Sequence, residues 1–217
     1  MEQLINEFIS TILQLIVFTL FPFIFFLFRK DKSVTFFKYI GLYKPTRKSI
    51  FYVIGISLLF VVVGIGLTFI DEGIKQAVLS PNSVTGKLRL LGLNATTISI
   101  LLIIALFKTS LAEEILFRGF IAKQLIYRLG FNIGNILQAT IFGVIHLLLF
   151  RALTNTTFIP LIFILVFSFF AGWTIGFIKE KYANGSIVPG WIAHGLGNTI
   201  SYFIIAFIIC NGKKRYC

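Results

Sequence analysis

Long uncharged apolar runs are the feature of this sequence that most constrains its fold. A transmembrane helix needs about 20 apolar residues, whereas the strands of a membrane barrel appear as alternating segments of about ten. Runs of at least helix length without Asp, Glu, Lys or Arg occupy residues 8–28, 50–70, 131–150, 152–178 and 182–212. The sequence therefore predicts an all-α polytopic membrane helical bundle.

The composition supports lipid as the main solvent of this fold. The chain has 217 residues, of which 57% are hydrophobic and 13% are charged, against about 25% charged in soluble proteins. A soluble fold of this size could not bury so much apolar surface, so we predict a single membrane-embedded domain over 1–217 with a motif-bearing core at about 97–210. Six spans are expected, at 8–28, 50–70, 97–127, 131–150, 158–178 and 186–210.

The net charge of +12 comes largely from two clusters that flank apolar runs. The first is the segment 29–48, with seven basic residues and one acid, and the second is the C-terminal "GKKRYC". Such clusters are typical of positive-inside loops and headgroup-facing segments. No motif of a nucleic-acid-binding module is present, so we predict no nucleic-acid partner. Loop 29–48 is expected to face the cytoplasm. With six spans the basic tail would end outside, and its side is left open.

Three charges interrupt the apolar pattern in the stretch "SLAEEILFRGF", residues 110–120. A charge at the middle of the bilayer costs about 2.5–3.5 kcal/mol, so it normally faces a partner or a watery cavity. Glu114 and Arg118 are one helical turn apart and are predicted to form an ion pair. Glu113 lies about 100° around the helix from Glu114 and cannot share that geometry. This carboxylate is a candidate general base.

Both histidines of the chain lie inside apolar runs, His146 in "FGVIHLLLF" and His194 in "WIAHGLGNTI". Asn198 follows His194 by one turn, so their side chains project from one helix face. Phe142 precedes His146 by one turn and could line the same cavity, although ordinary packing explains it slightly better. A single buried histidine can simply bond a backbone carbonyl. Because a third run carries Glu113, we expect these groups to converge in an intramembrane cavity.

Two chemistries suit this set of side chains. In the first, a glutamate takes a proton from water, one histidine orients that water, and the other histidine donates with Asn198 to a developing oxyanion. In the second, Glu113, His146 and His194 bind zinc with an open position for water. No HExxH motif supports the zinc version. The residue types and their spacing do not choose between the two.

The same residues resemble the three motifs of a known family. The segment "EEILFR" (113–118) resembles an EExxxR motif, "FGVIH" (142–146) an FxxxH motif, and "HGLGN" (194–198) an HxxxN/B motif. In this order they are similar to the CAAX-prenyl-protease-like intramembrane proteases, the CPBP or Abi family, over about residues 36–200. The resemblance implies an all-helical membrane fold, an active site in a cavity between helices, and peptide-bond hydrolysis.

The resemblance also implies roles for individual residues. Glu113 would activate water with help from His146, His194 and Asn198 would stabilise the oxyanion, and Glu114 with Arg118 would hold the geometry of the site. We favour this metal-free version, with zinc as the alternative and no other cofactor.

The expected substrate is a peptide or membrane protein cleaved near the cytoplasmic face. Eukaryotic prenyl-protease members have about eight spans, whereas six are predicted here, too few to expect the same prenyl-accepting cavity. A farnesylated substrate is therefore not expected. The family's small bacterial members are linked to bacteriocin immunity and peptide processing. Together with a composition rich in Phe, Ile, Lys and Asn, this favours a bacterial cell membrane.

Two other functions fit the same features. A non-catalytic membrane immunity protein or scaffold would keep the polar cluster only as a structural element. A small transporter would use the intramembrane carboxylates as part of an ion path, although the sequence shows no inverted repeat.

Overall fold

The computed structural model describes residues 1–29, 33–153 and 157–209, and within these ranges it contains helices and no strand. The basic tail, whose side of the membrane the sequence left open, lies outside the described residues. The α-helices are α1 (Glu2–Leu27), α2 (Phe36–Tyr39), α3 (Arg47–Ile70), α4 (Glu72–Leu79), α5 (Val84–Leu91), α6 (Ala95–Leu102), α7 (Ala122–Leu153), α8 (Phe158–Lys181) and α9 (Val188–Phe203). Three π-helical segments continue them, π1 (Ile103–Leu111), π2 (Glu114–Ile121) and π3 (Ile204–Ile209).

Five helical stretches of the described residues are long and apolar enough to cross a membrane. The third, Ala95–Leu153, has 59 residues and would be about three times as long as the bilayer core is thick if it were straight. It breaks at Gly130, whose φ is 77° and ψ is 166°, a conformation that glycine adopts far more readily than other residues. The stretch joins the two spans predicted at 97–127 and 131–150, so the described residues contain five such stretches where the sequence predicts six. The all-α polytopic bundle is confirmed.

Helices α7 and α8 pack through small residues and buried amides. Asn135 Nδ2 donates to the Trp173 carbonyl at 3.0 Å, and Gln138 Nε2 donates to the Gly172 carbonyl at 2.9 Å. A Cβ atom added at Gly176 would lie 2.0 Å from Asn135 Oδ1. The glycine therefore lets the two backbones approach closely enough for these amides to bond across the interface.

Helix α1 provides polar partners for a lysine within the third stretch. Lys108 Nζ lies 2.8 Å from Glu7 Oε2 and 2.8 Å from Ser10 Oγ. Gln14 Nε2 donates to the Lys108 carbonyl at 2.7 Å. These contacts neutralise a charge that lipid would not solvate, and they hold α1 against π1.

Hydrogen bonds connect the segment after α1 to the turn between α8 and α9. Tyr43 Oη donates to the Asn184 carbonyl at 2.6 Å, Ser186 Oγ donates to the Tyr43 carbonyl at 2.6 Å, and the Ile187 amide donates to the Gly41 carbonyl at 2.9 Å. We call residues 33–46, 119–128 and 179–187 together the basic face.

Helices α4 and α5 follow the far end of α3, and their turn is closed by hydroxyl bonds from Ser83 and Thr85 to the Val78 carbonyl. We call residues 72–91 the α4–α5 face.

Candidate active site

Glu113 lies between π1 and π2, where the backbone has wider turns than an α-helix. Such π segments recur at functional sites. Its Oε2 atom is 3.9 Å from Nε2 of His146 in α7 and 3.9 Å from Nε2 of His194 in α9. Side chains from three separate segments therefore converge on one carboxylate oxygen.

The two imidazole rings are held by their other nitrogens. His146 Nδ1 is 2.9 Å from the Phe142 carbonyl, which can only accept, so this nitrogen carries the hydrogen. His194 Nδ1 is 3.6 Å from Glu114 Oε1. A neutral imidazole has one donor and one acceptor nitrogen, so the Nε2 of His146 presents a lone pair to Glu113. A gap of 3.9 Å is too long for a direct hydrogen bond and suits a bridging water.

Glu114 and Arg118 form the ion pair that their spacing predicts. Both side chains are fully buried, with Arg118 Nη1 3.2 Å from Glu114 Oε1. The Arg118 guanidinium also lies over the Phe142 ring, 4.2 Å from its centroid, a cation–π contact. Helix α9 reaches this pair because of Gly190, where an added Cβ atom would lie 2.6 Å from Glu114 Oε2. The pair thus contacts His194 without facing the cavity.

Asn198 is fixed by hydroxyls of π1. Its Nδ2 donates to Thr109 Oγ1 at 3.1 Å and lies 3.4 Å from Ser110 Oγ. Thr109 and Ser110 in turn bond backbone carbonyls of Ile104 and Ala105. Neither hydroxyl residue is among the residues chosen from the sequence. Their position one turn before the glutamates, in "KTSLAEE", is the signal that could have identified them.

Of the predicted site residues, all but Glu114 and Arg118 line one cavity of about 420 Å³. Phe142 forms part of its wall, with its ring centroid 4.2 Å from that of His146. Apolar side chains of α3 and α8 line the middle, and Tyr202, which the sequence did not single out, lines it near Thr109.

The cavity extends from Glu113 toward the α4–α5 face, where residues 77–78 and 82–85 line it. Among the described residues, none of the basic face lines this cavity. The cavity thus extends away from the basic face, near which cleavage is expected from the sequence. Sequence spacing places a residue along its helix, but it does not show at which end neighbouring helices separate.

In this arrangement Glu113, His146 and His194 are spaced more widely than the ligands of a tetrahedral zinc ion. Two ligands of tetrahedral zinc, each about 2.0–2.1 Å from the metal, lie about 3.3 Å apart, whereas the carboxylate oxygen is 3.9 Å from each ring nitrogen. In the ranges that the structure covers, no group of three or more His, Cys, Asp or Glu side chains could hold a metal ion. We derive no step through a metal.

Comparison with known proteins gives one match. The family model described as "Type II CAAX prenyl endopeptidase Rce1-like" matches residues 95–200. No curated protein and no solved structure matches the chain. The matched segment begins with α6 and contains every predicted site residue, although the resemblance seen in the sequence began earlier, at about residue 36.

Proposed function

The chain belongs to the CAAX-protease-like (CPBP) family, and from this premise we propose that it is an intramembrane endopeptidase cleaving a peptide or membrane-protein substrate. It is an integral multi-pass membrane protein with five apolar helical stretches, and its family is one of proteases. The observation that carries the proposal is the convergence of His146 and His194 on Glu113, each 3.9 Å away. A water between these groups would have a base on one side and oriented rings on the other.

In the first step, Glu113 takes a proton from this water while its oxygen attacks the scissile carbonyl carbon. His146 accepts the water's second hydrogen at Nε2, because the Phe142 carbonyl holds its Nδ1–H. The carbonyl double bond opens and its electrons move to the oxygen. The product of this step is a tetrahedral oxyanion.

In the second step, donors of α9 stabilise that oxyanion. His194 faces Glu113 with Nε2 and Glu114 with Nδ1, at 3.9 and 3.6 Å, and its Nε2–H donates to the oxyanion. Asn198 Nδ2 donates to Thr109 Oγ1 at 3.1 Å and to Ser110 Oγ at 3.4 Å, and the longer bond is the one that the oxyanion replaces. The intermediate collapses, the C–N bond breaks, and Glu113 returns its proton to the departing amine.

The substrate segment enters from the α4–α5 face. Support for this direction comes from the cavity, which extends from the site to residues 77–85 and has apolar walls at Phe60, Phe167 and Ala171. An apolar peptide segment matches such walls. The bacterial setting and a role in bacteriocin immunity or peptide processing follow from the family resemblance and belong to the same proposal.

The decisive variant is Glu113→Gln in full-length protein reconstituted into liposomes. The probe is a library of apolar peptides flanked by lysines, with the products identified by mass spectrometry. We expect cleavage to fall at least about a hundredfold, as for loss of a general base, with thermal unfolding unchanged. The control is Glu2→Gln, the same change at an exposed carboxylate at the start of α1, which should cleave normally.

Two results would count against this mechanism. Full cleavage by Glu113→Gln would remove the carboxylate from the reaction, and cleavage lost to a chelator and restored by zinc would favour the metal version. A chain whose immunity phenotype survives Glu113→Gln, with no peptide cleaved by the unmodified protein, would instead be a non-catalytic immunity protein or scaffold. Ion flux into liposomes without proteolysis would indicate a transporter.

A further inference from the structure

A second cavity, of about 280 Å³, opens at the basic face. Its walls come from α2 and the residues that follow it, from the junction of π2 and α7, and from the end of α8 with its turn. Among the described residues, none lines both this cavity and the one that contains Glu113. The proteolytic mechanism does not use it.

Positive charge dominates the walls of this cavity. Lys38, Lys123 and Lys179 line it with one acid, Glu180, so three positive charges and one negative charge leave a net charge of +2. Lys179 is only 4% exposed and pairs with Glu180. Lys123 Nζ donates to the Tyr39 carbonyl at 2.5 Å, which uses one of its three N–H groups. Its charge is repelled by those of Lys179 and Arg29.

Tyrosines fix the position of these cations. Lys123 Nζ lies 4.6 Å and the Arg29 guanidinium 4.9 Å from the centroid of the Tyr39 ring, within the range of cation–π attraction. Burial raises the pKa of the Tyr39 and Tyr43 phenols, and the Glu180 charge raises that of Tyr43 further. Both phenols are therefore neutral hydrogen-bonding groups at physiological pH, and the excess positive charge has no phenolate to offset it.

We propose that this cavity binds a phosphate-bearing anion, either the headgroup of an anionic lipid or a free phosphate. Holding like charges together in a partly buried pocket costs energy that a bound anion recovers. Basic pockets between transmembrane helices on the cytoplasmic side are suited to anionic headgroups. A diffuse positive-inside face would explain basic residues in general. It does not explain why a lysine that is only 4% exposed and a second lysine held over a tyrosine ring line the same cavity.

The test uses full-length protein in detergent and two probes. Native mass spectrometry measures retention of short-chain phosphatidylglycerol against phosphatidylcholine, and thermal unfolding measures stabilisation by inorganic phosphate against chloride at equal ionic strength. The variants are Lys123→Gln and Lys38→Gln. The Lys38 side chain is exposed, so Lys38→Gln still tests the proposal if Lys123→Gln does not fold. The control is Lys44→Gln, an exposed lysine of the same face that does not line the cavity.

We expect a preference for one phosphate-bearing anion that falls about tenfold in Lys38→Gln and Lys123→Gln and is unchanged in Lys44→Gln. Selective retention of phosphatidylglycerol identifies a lipid headgroup as the source, and stabilisation by inorganic phosphate alone identifies a free phosphate. Equal loss in Lys44→Gln would show that the face attracts anions only diffusely. That result, equal retention of phosphatidylcholine, or no response to either probe would overturn the proposal.

Discussion

At the scale of single residues, two adjacent carboxylates have different surroundings. Glu114 is fully buried against Arg118, whereas Glu113 lines the catalytic cavity and faces two imidazoles. The difference arises because consecutive residues of a helix point in directions about 100° apart. One glutamate can therefore pair with a buried arginine while its neighbour faces the cavity.

Removing one partner of the buried pair should destabilise the protein strongly. In Glu114→Gln the guanidinium of Arg118 is left without its counter-ion, which costs about 3–5 kcal/mol for a buried pair. We expect a clear fall in the unfolding temperature in detergent, larger than that of Glu113→Gln.

The control for this prediction is the double variant Glu114→Gln/Arg118→Leu. It removes the uncompensated charge, so it should regain part of the lost stability. A double variant no more stable than Glu114→Gln alone, or a single variant as stable as the unmodified protein, would contradict the ion-pair account.

The candidate site could be named from the sequence because its residues are chemically conspicuous. A carboxylate or imidazole is unfavourable in an apolar run unless it has a partner or a function, and this singles out Glu113, His146 and His194. Thr109 and Tyr202 could not be found this way, since hydroxyl residues are common in membrane helices and carry no charge. The contact of Thr109 with Asn198 and its position on the cavity wall give it a place in the site.

At the scale of helices, the third stretch departs from the regular helix that the sequence predicted over 97–127. Its apolar pattern indicates a helix but not the register of its hydrogen bonds. Trp191 Nε1 donates to the Leu106 carbonyl at 2.6 Å, and Thr109 and Ser110 bond carbonyls five residues before them. These partners satisfy the carbonyls of π1, and one of them lies on another helix.

The close packing of α7 and α8 predicts that Gly176→Ala is harmful. An added Cβ atom would overlap Asn135 Oδ1, so the amide must move or α8 must shift, at a cost of about 1–3 kcal/mol for overpacking. Since Gly172 of the same helix packs against Phe142, a shift of α8 reaches the site. We expect lower thermal stability and slower peptide cleavage.

The matched substitution is Gly55→Ala in α3, where an added Cβ atom has no neighbour within 4 Å. It should leave cleavage unchanged and keep or raise the stability, because alanine favours a helix over glycine. If both alanine variants behave alike, the contact at Gly176 does not hold the two helices in place.

At the scale of the whole molecule, two cavities of opposite character lie toward opposite faces. The larger has mostly apolar walls and extends to the α4–α5 face, and the smaller has lysine-rich walls at the basic face. The apolar runs were enough to predict membrane-spanning helices, because each run is apolar enough to lie in lipid by itself. The cavities depend on contacts between segments far apart in sequence, and the spans do not reveal them.

By the positive-inside rule, the basic face should lie inside the cell, and the α4–α5 face, toward which the larger cavity extends, should lie outside it. In a background where Cys210 and Cys217 are replaced by serine, Asn82→Cys on the α4–α5 face should react with a membrane-impermeant thiol reagent on intact cells. Lys44→Cys on the basic face should react only after permeabilisation. Both native side chains are exposed, so burial does not bias the comparison, and the reverse labelling pattern would contradict the orientation.

The contact between Lys108 and α1 bears on how small a working version of this protein can be. Glu7, Ser10 and Gln14 lie outside the segment that the family model matches, 95–200, yet they bind an ammonium and a carbonyl inside it. A shortened chain that began at residue 95 would leave that ammonium facing hydrocarbon. The segment that the family model matches therefore depends on α1, and any shortened or transplanted version of the protein must include that helix.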